Sequence, residues 1–573
     1  MSVKLPFPGR PAPGTFVCAR PALFLLSQGA WSGISRSNRF PMTLDTRPSP
    51  HETENHRVAK AAGVVGLATM LSRVFGFIRD VVVARYFGAG LATDAFFVAF
   101  RIPNLLRRLF AEGSLTIAFV PVFTEYLKTK SRQDAFELAR VAFTLLSVIL
   151  AVVSIAGVLL SPAIVTLMAP GFRAAPDKYA LTVLLTRIMF PYIFFIALVA
   201  LCMGILNSLR HFATPALSPV ILNLCMIAAA LTLRDCFAEP VVALAVGVMI
   251  GGFLQLAVQL PVLFRLGVSL RPDFRFGHEG VRRIGLLMLP AAFGAAVYQI
   301  NIFIGTLLAS FLPEGSVSFL YYADRIVELP LGIFGIAIGT AALPSFSDQV
   351  ARGQYDEMKR TISFSLRLML FITIPAMVGI IALQEPIISV LFQRGEFDPR
   401  SAVLTAQALF WYAVGLWAFS TIRVVVAAFY ALQDTKTPVR IAVAALIVNT
   451  ACSVALMFPL KHSGLALATS IASAVNVLTL GWLLRKRIGR FLDASFWGSL
   501  ARVTAAAAVM GVAVSLTIHV LGWDVTAPFR HRVTVLGAGL AAGIAVFSIC
   551  AAALRCPEMT TLAGMVRRRL GRR

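Results

Sequence analysis

Charge is what this sequence has least of. Only 14% of its 573 residues are charged, against about a quarter in an ordinary soluble domain. With 58% hydrophobic residues and 43 phenylalanines, that deficit excludes a water-soluble globular protein. Acidic residues are scarcer still, 27 against 52 Lys and Arg. Cysteine is sparse: Cys18, Cys202, Cys225, Cys236, Cys452, Cys550 and Cys556, with no C-x-x-C pair and most in apolar runs. Such cysteines read as small buried hydrophobes, which excludes a disulfide scaffold or a thiolate metal centre. Histidine is equally thin, and His51, His56, His211, His278, His462, His519 and His531 are scattered over the N-terminal region, loops and helix ends. There is no G-x-x-x-x-G-K-[ST] nucleotide loop and no D-D-x-x-D-type cluster. A membrane-embedded enzyme acting on polyprenyl phosphates therefore lacks its acid, base or metal ligands, and no metal or other cofactor is expected.

What is present is a succession of apolar runs, each long enough for a hydrocarbon layer of about 30 Å. They read as spans at 61–84, 92–122, 141–168, 181–206, 214–233, 240–263, 284–310, 316–343, 364–392, 402–430, 439–458, 464–484, 500–520 and 533–554. Backbone exposed to lipid must satisfy its own hydrogen bonds, so these are helices. The expected fold is an all-α polytopic membrane protein of about fourteen transmembrane helices. Residues 1–56, rich in Pro, Ser and Arg without apolar period, read as a disordered extension.

Lys and Arg crowd alternate loops. One set holds Lys128, Lys130, Arg132, Arg140, Arg210, Arg265, Arg271, Arg275, Arg282, Arg283, Arg352, Lys359, Arg360, Lys436, Arg440, Arg485–Arg487 and the tail Arg567–Arg569. The other is sparse, with Arg85, Arg173, Lys178, Arg234, Arg394, Arg400, Lys461, Arg530 and Arg532. The rich side is expected to be cytoplasmic, with both termini inside a bacterial inner membrane. The net charge of +25 is then topological, and no nucleic-acid partner is expected.

The chain also repeats itself. VPVFTE at Val120–Glu125 matches LPSFSD at Leu343–Asp348, and SLRHFATP ending at Pro215 matches ALQDTKTP ending at Pro438. Both proline pairs lie 223 residues apart. AFRIPNL at Ala99–Leu105 matches ADRIVEL at Ala323–Leu329 with one residue more. Six spans separate the copies, so the halves run parallel, an arrangement that builds alternating-access transporters with the site between halves. The expected organisation is an N-lobe at 57–265, a C-lobe at 266–484, two further helices at 485–555 and a basic cytoplasmic tail at 556–573.

Charges at bilayer depth cost a few kcal/mol each and mark function. They cluster in three spans: Arg73, Arg79 and Asp80; Asp94, Arg101, Arg107, Arg108 and Glu112; Asp324, Arg325 and Glu328. Arg73 and Asp80 are seven apart, on one helix face, and are expected to pair across Gly76. Arg325 and Glu328 are placed to pair at i, i+3. Arg101 and Arg108 read as facing the helix surface, and Arg85 as reaching to headgroups. Pro103, the Phe110–Gly113 break and Pro330 interrupt the helices beside these charges. Arg73, Arg79, Arg107 and Arg325 outnumber their acids, and a guanidinium in a cavity suits phosphate. Asp80, Asp94, Glu112, Asp324 and Glu328 read as charge partners or gating groups. A drug or cation antiporter would show the opposite charge.

These motifs resemble a known family. SRVFGFIRD…VARYFGAGLATDAFFVAFRIPNLLRRLFAEG (Ser72–Gly113), FVPVFTEY (Phe119–Tyr126), MFPYIFF (Met189–Phe195), GSVSFLYYADRIVELPLGIFGIAIGTAALP (Gly315–Pro344) and QDTKTPV (Gln433–Val439) are similar to the MurJ (MviN) lipid II flippases, over roughly Val58 to Leu554. The resemblance implies the multidrug/oligosaccharidyl-lipid/polysaccharide exporter fold, with two extra C-terminal helices forming a lipid groove. It implies movement of lipid II, an undecaprenyl-pyrophosphate-linked disaccharide-pentapeptide, from the cytoplasmic to the periplasmic leaflet for peptidoglycan synthesis and cell shape. It also implies that Arg73, Arg79, Arg107 and Arg325 are required cavity residues, with functional roles for Asp94, Asp324 and Glu328. Some family members bind sodium, but span 11 offers Asn449 and no carboxylate. Membrane potential is the expected driving force, with ion coupling open and cell-wall synthesis proteins as possible partners. The competing expectation is a flippase for another undecaprenyl-pyrophosphate glycan, of the O-antigen type.

Overall fold

The structure, a computed structural model of the full chain, describes residues 50–107, 115–560 and 564. By internal contacts the chain divides into Met1–Arg57 and Val58–Arg573. Residues 1–49, most of the expected disordered extension, lie outside the described residues, as do all but the start of the basic tail. The first helix begins at Pro50, ahead of the boundary expected at 56.

The described helices follow in order. The first nine are α1 (Pro50–Phe87), α2 (Leu91–Leu106), α3 (Thr116–Thr129), α4 (Arg132–Leu159), α5 (Ser161–Met168), α6 (Pro176–Met189), α7 (Tyr192–Ser208), α8 (Ala213–Thr232) and α9 (Val242–Arg265). The next nine are α10 (Glu279–Ala309), α11 (Ser316–Pro330), α12 (Ile336–Ala351), α13 (Tyr355–Ala382), α14 (Gln384–Phe392), α15 (Pro399–Val414), α16 (Leu416–Ala431), α17 (Lys436–Leu460) and α18 (His462–Ile488). A hairpin of α19 (Ala494–Val520) and α20 (Phe529–Ala553) completes the bundle. Among the described residues, ten helices are long and apolar enough to cross a membrane. They coincide with the expected spans 3–6 and 9–14.

The other four expected spans are where charge and breaks accumulate. Helix α1 carries Arg73, Arg79, Asp80 and Arg85. Span 2 is divided into α2 and α3, and span 8 into α11 and α12 by a π-helical turn at Leu331–Gly335. In α10 the apolar stretch described is Gln299–Ala309. The π turn follows directly on Pro330, whose ring cannot donate to the helical ladder.

Helix order repeats as the sequence does. Helices α4, α5 and α8 begin at Arg132, Ser161 and Ala213, and α13, α14 and α17 begin 223 residues later, at Tyr355, Gln384 and Lys436. Packing repeats as well: α2 on α6, α3 on α7 and α7 on α9 recur as α11 on α15, α12 on α16 and α16 on α18. The α19–α20 hairpin lies against α13 and α14. Three buried cores are described, the largest running from Val83 to Ala466, a second holding Phe346, Met369, Phe429 and Leu480, and a small third of Leu383, Met510 and Val514.

The segment between α9 and α10 is pinned to α4. Asp273 accepts from Arg275 at 2.9 and 2.7 Å and faces Arg140 at 3.7 Å, while Arg275 reaches Glu137 at 2.7 Å. Hydrogen bonding from the Arg275 side chain holds the Asp273 carboxyl down to about 2. An unfolded aspartate titrates near 3.9, so this attachment is complete above that pH and is lost as pH falls toward 2. A spin label at the exposed Phe274 is expected to show constant mobility from pH 5 to 8 and a sharp gain only below about pH 4.

Candidate functional site: an arginine-lined cavity

Between the two sets of nine helices lies a cavity of about 980 Å³. Among the described residues its wall holds six arginines, Arg73, Arg79, Arg101, Arg107, Arg325 and Arg423, against three carboxylates, Asp80, Asp324 and Glu328. The formal excess is three positive charges. The rest of the wall mixes amides such as Asn104, Asn223 and Gln255 with aromatic rings.

Asp80 is the hub. It is 2% exposed, accepts from Arg79 Nε at 3.1 Å and Nη2 at 2.6 Å, and takes the Tyr321 hydroxyl at 3.2 Å. Arg325 Nε stands 3.7 Å from its other oxygen. Arg325 also lies over the Tyr321 ring at 4.7 Å and donates to Glu328 at 2.7 Å, as expected from the i, i+3 spacing. Arg79 extends to Asn223 at 3.0 Å. Tyr321 stacks on Phe97 with ring centroids 3.8 Å apart. One carboxylate thus holds two guanidiniums from opposite halves, and α1, α2, α8 and α11 meet at it.

Arg73 does not pair with Asp80, contrary to expectation. Seven residues of helix separate them by about 10.5 Å along the axis, whereas the adjacent Arg79 only has to fold back to reach Asp80 in two hydrogen bonds. Arg73 instead lays its guanidinium against Gly332 in the π turn, where any Cβ would collide with it. Arg423 flanks the same turn, with its Cδ 3.5 Å from where a Cβ on Gly335 would stand. No carboxylate among the described residues lies within 4.0 Å of Arg73 or Arg423. Arg107 donates to Asn104 at 3.1 Å. Replacing Gly332 by valine is expected to displace Arg73 with melting temperature close to wild type; crosslinking of a cysteine at position 73 to the π turn alongside thermal unfolding checks it.

Arg101 is also a correction, because it faces the cavity rather than the helix surface. It bonds Thr306 of α10 and has Asp324 and Tyr412 as electrostatic neighbours. Only in the folded bundle does α10 supply that polar partner. Arg423 was missed, although an arginine inside LWAFSTIRVVVAAF is the same signal that marked Arg79. Glu112 and Arg108 lie outside the described residues.

Asp94 belongs to a different cluster, away from the cavity wall. It is fully buried and pairs with Lys178 of α6 at 2.7 Å. It also accepts from Gly315 N at 2.8 Å, Ser318 N at 2.9 Å and the Ser318 hydroxyl at 2.7 Å. A carboxylate of the first half thereby caps the N-terminus of α11 in the second. Neighbouring bonds close the same arginine-poor end. Glu314 takes Leu91 N at 2.7 Å, Ser310 takes Gly171 N at 3.1 Å, and the Arg85 carbonyl takes Glu396 N at 2.9 Å. Gly88 has φ +64° and a Cβ there would stand 2.5 Å from the Glu396 carbonyl, so the two turns touch backbone to backbone. At the arginine-rich end the described ion pair between α3 and α10 is Arg283–Glu125, largely exposed at 2.9 Å.

Among the described residues no group of three or more His, Cys, Asp or Glu is arranged to hold a metal ion. Asn449 donates to Asn301 at 2.8 Å. Planar guanidinium donors suit an anion such as phosphate, and Arg73 and Arg423, with no carboxylate within reach among the described residues, both line this cavity.

The sequence profile of the family described as "Lipid II flippase MurJ" matches residues 83–533. A "Probable lipid II flippase MurJ" of Vibrio cholerae is 38% identical over 514 residues, covering 88% of this chain and 98% of that protein. The "Lipid II flippase MurJ" of Burkholderia cenocepacia is 39% identical over 423 residues, covering 73% and 82%. Among solved structures, an inward closed lipid II flippase MurJ superposes with a TM-score of 0.70 at 27% identity, covering 86% of this chain and 99% of that one. An inward-facing transporter of the multidrug MATE family shares the fold, with a TM-score of 0.61 at 16% identity over 76% and 99%.

Proposed function

We propose, from the premise that the chain belongs to the lipid II flippase MurJ family, that it is a transporter carrying lipid II across the inner membrane for peptidoglycan synthesis. The observation that carries this reading is the excess of three positive charges in the cavity between the halves. A diphosphate is the part of a lipid-linked precursor that cannot cross hydrocarbon unaided, and arginines in a low-dielectric cavity are suited to bind it.

In this reading the fourteen helices form two six-span lobes plus α19 and α20, and the arginine-rich loops face the cytoplasm. The closed end is then periplasmic and the cavity receives substrate from the cytoplasmic side. Arg73 and Arg423, without carboxylate partners, make the first contact with the diphosphate. Arg79 and Arg325 then exchange Asp80 and Glu328 for phosphate oxygens. Losing that shared carboxylate loosens the link between halves, Asp94 releases α11, and the headgroup leaves on the other side while the polyprenyl tail stays in lipid. When the site empties, Asp80 recaptures both arginines and resets the bundle.

The membrane potential drives the cycle. Moving one charge through 100 mV is worth about 2.3 kcal/mol, and the formal charge of the cavity changes when an anion loads. Depleting the protein is expected to raise lipid II in the cytoplasmic leaflet and lower it outside within one generation. Accumulation of a different undecaprenyl-linked glycan, with lipid II distributed normally, would point to the O-antigen-type alternative.

A further inference from the structure

The arginine-poor end carries a second basic site that the cavity does not use. Arg532 is only 8% exposed, in the first turn of α20, and its neighbours on that turn are Arg530 and His531. Cations at a helix N-terminus oppose the helix dipole, and a buried guanidinium without a counter-ion is costly. Arg532 Nη1 donates to the Ser389 hydroxyl at 2.8 Å, while its Nε is buried without a partner. Arg394 packs over the Phe529 ring at 4.6 Å and Arg532 over the same ring at 5.9 Å. The one described side-chain bond of Arg394 goes to the Val390 carbonyl at 2.9 Å. No carboxylate among the described residues lies within 4.0 Å of either guanidinium.

The pair is held in place. Ser389 donates to Gln393, which donates to the Val525 carbonyl at 2.9 Å, tying α14 to the α19–α20 turn. Two like charges are therefore fixed against one ring by neutral groups. The depth is that of lipid headgroups. α19 and α20 are both long enough to span, so the turn 521–528 lies at the membrane surface. Arg532, three residues into α20, sits about 5 Å below it.

We propose that Arg394 and Arg532 form a phosphate site, filled by the headgroup of an anionic phospholipid at the arginine-poor face. Its phosphate oxygens take the free donors of both arginines. The site lies outside the cavity and needs no lipid II. It also has a route to the closed end, because the loop after Arg394 carries Glu396, whose N–H bonds the Arg85 carbonyl of α1. A bound headgroup steadies that loop.

The test uses the full chain in nanodiscs of phosphatidylcholine with rising phosphatidylglycerol, read by native mass spectrometry of retained lipid and by melting temperature. Wild type is expected to retain one phosphatidylglycerol with at least tenfold preference over phosphatidylcholine. R394Q/R532Q should lose that preference while melting normally in phosphatidylcholine alone, and R394K/R532K should keep part of it. Should the glutamine variant fail to fold, inorganic phosphate is titrated against the wild-type lipid adduct, and displacement at millimolar concentration supports the site. Protection by inorganic phosphate with no preference for phosphatidylglycerol would assign the site to free phosphate and overturn the lipid assignment. Phosphatidylglycerol retention that is unchanged in R394Q/R532Q and resists phosphate would overturn the proposal altogether.

Discussion

Arg325→Ala is expected to abolish lipid II translocation while the protein still inserts and is produced at wild-type level. Arg325 touches Asp80, Glu328 and the Tyr321 ring, and in the proposed cycle it transfers to phosphate. Losing its charge-assisted hydrogen bonds to phosphate costs about 1.5–3 kcal/mol, roughly a ten- to hundredfold loss in occupancy of the loaded state. Arg325→Lys keeps the charge but loses the planar fork, and is expected to retain a small fraction of activity. Both variants are compared by complementation of a depletion strain and by leaflet-resolved lipid II. An alanine variant that moves lipid II at the wild-type rate would remove Arg325 from the substrate site.

The second large effect is expected at Asp94, and on stability rather than binding. Asp94→Ala leaves Lys178 buried without its counter-ion and removes the cap from α11. Breaking such a pair costs about 3–5 kcal/mol, so the variant should melt markedly lower. Asp94→Ala combined with Lys178→Met removes the stranded charge and should recover most of the stability, yet leave the arginine-poor end unlatched. A cysteine at the buried Val317 would then react with an external maleimide in the double variant and stay protected in the wild type. Equal protection in both would mean that Asp94 serves stability alone and does not hold the end closed.

These two sites show what the sequence made legible. Apolar run length marked fourteen spans, and ten of them coincide with described helices long and apolar enough to cross a membrane, because hydrophobic thickness is a one-dimensional property. The charged segments stood out for the same reason: Arg79, Asp80 and Arg325 stand where charge is expensive. The Arg325–Glu328 pair followed from helical spacing. The Arg73–Asp80 pair did not, since facing alone says nothing about which of two arginines wins a single carboxylate. Arg101 was misplaced because its partner Thr306 comes from α10, more than 200 residues away. Asp94 was legible as a buried charge, but its partners Lys178, Gly315 and Ser318 come from separate elements, and only the fold joins them. The family resemblance supplied the substrate, which no spacing could.

The most direct test of the central claim, that the cavity arginines recognise a diphosphate, is competition for lipid II binding to the purified protein. Undecaprenyl pyrophosphate is predicted to displace lipid II at least tenfold more effectively than undecaprenyl monophosphate. That advantage should shrink severalfold in Arg73→Gln/Arg423→Gln protein. Equal competition by the two lipids, unchanged in the double variant, would contradict the account.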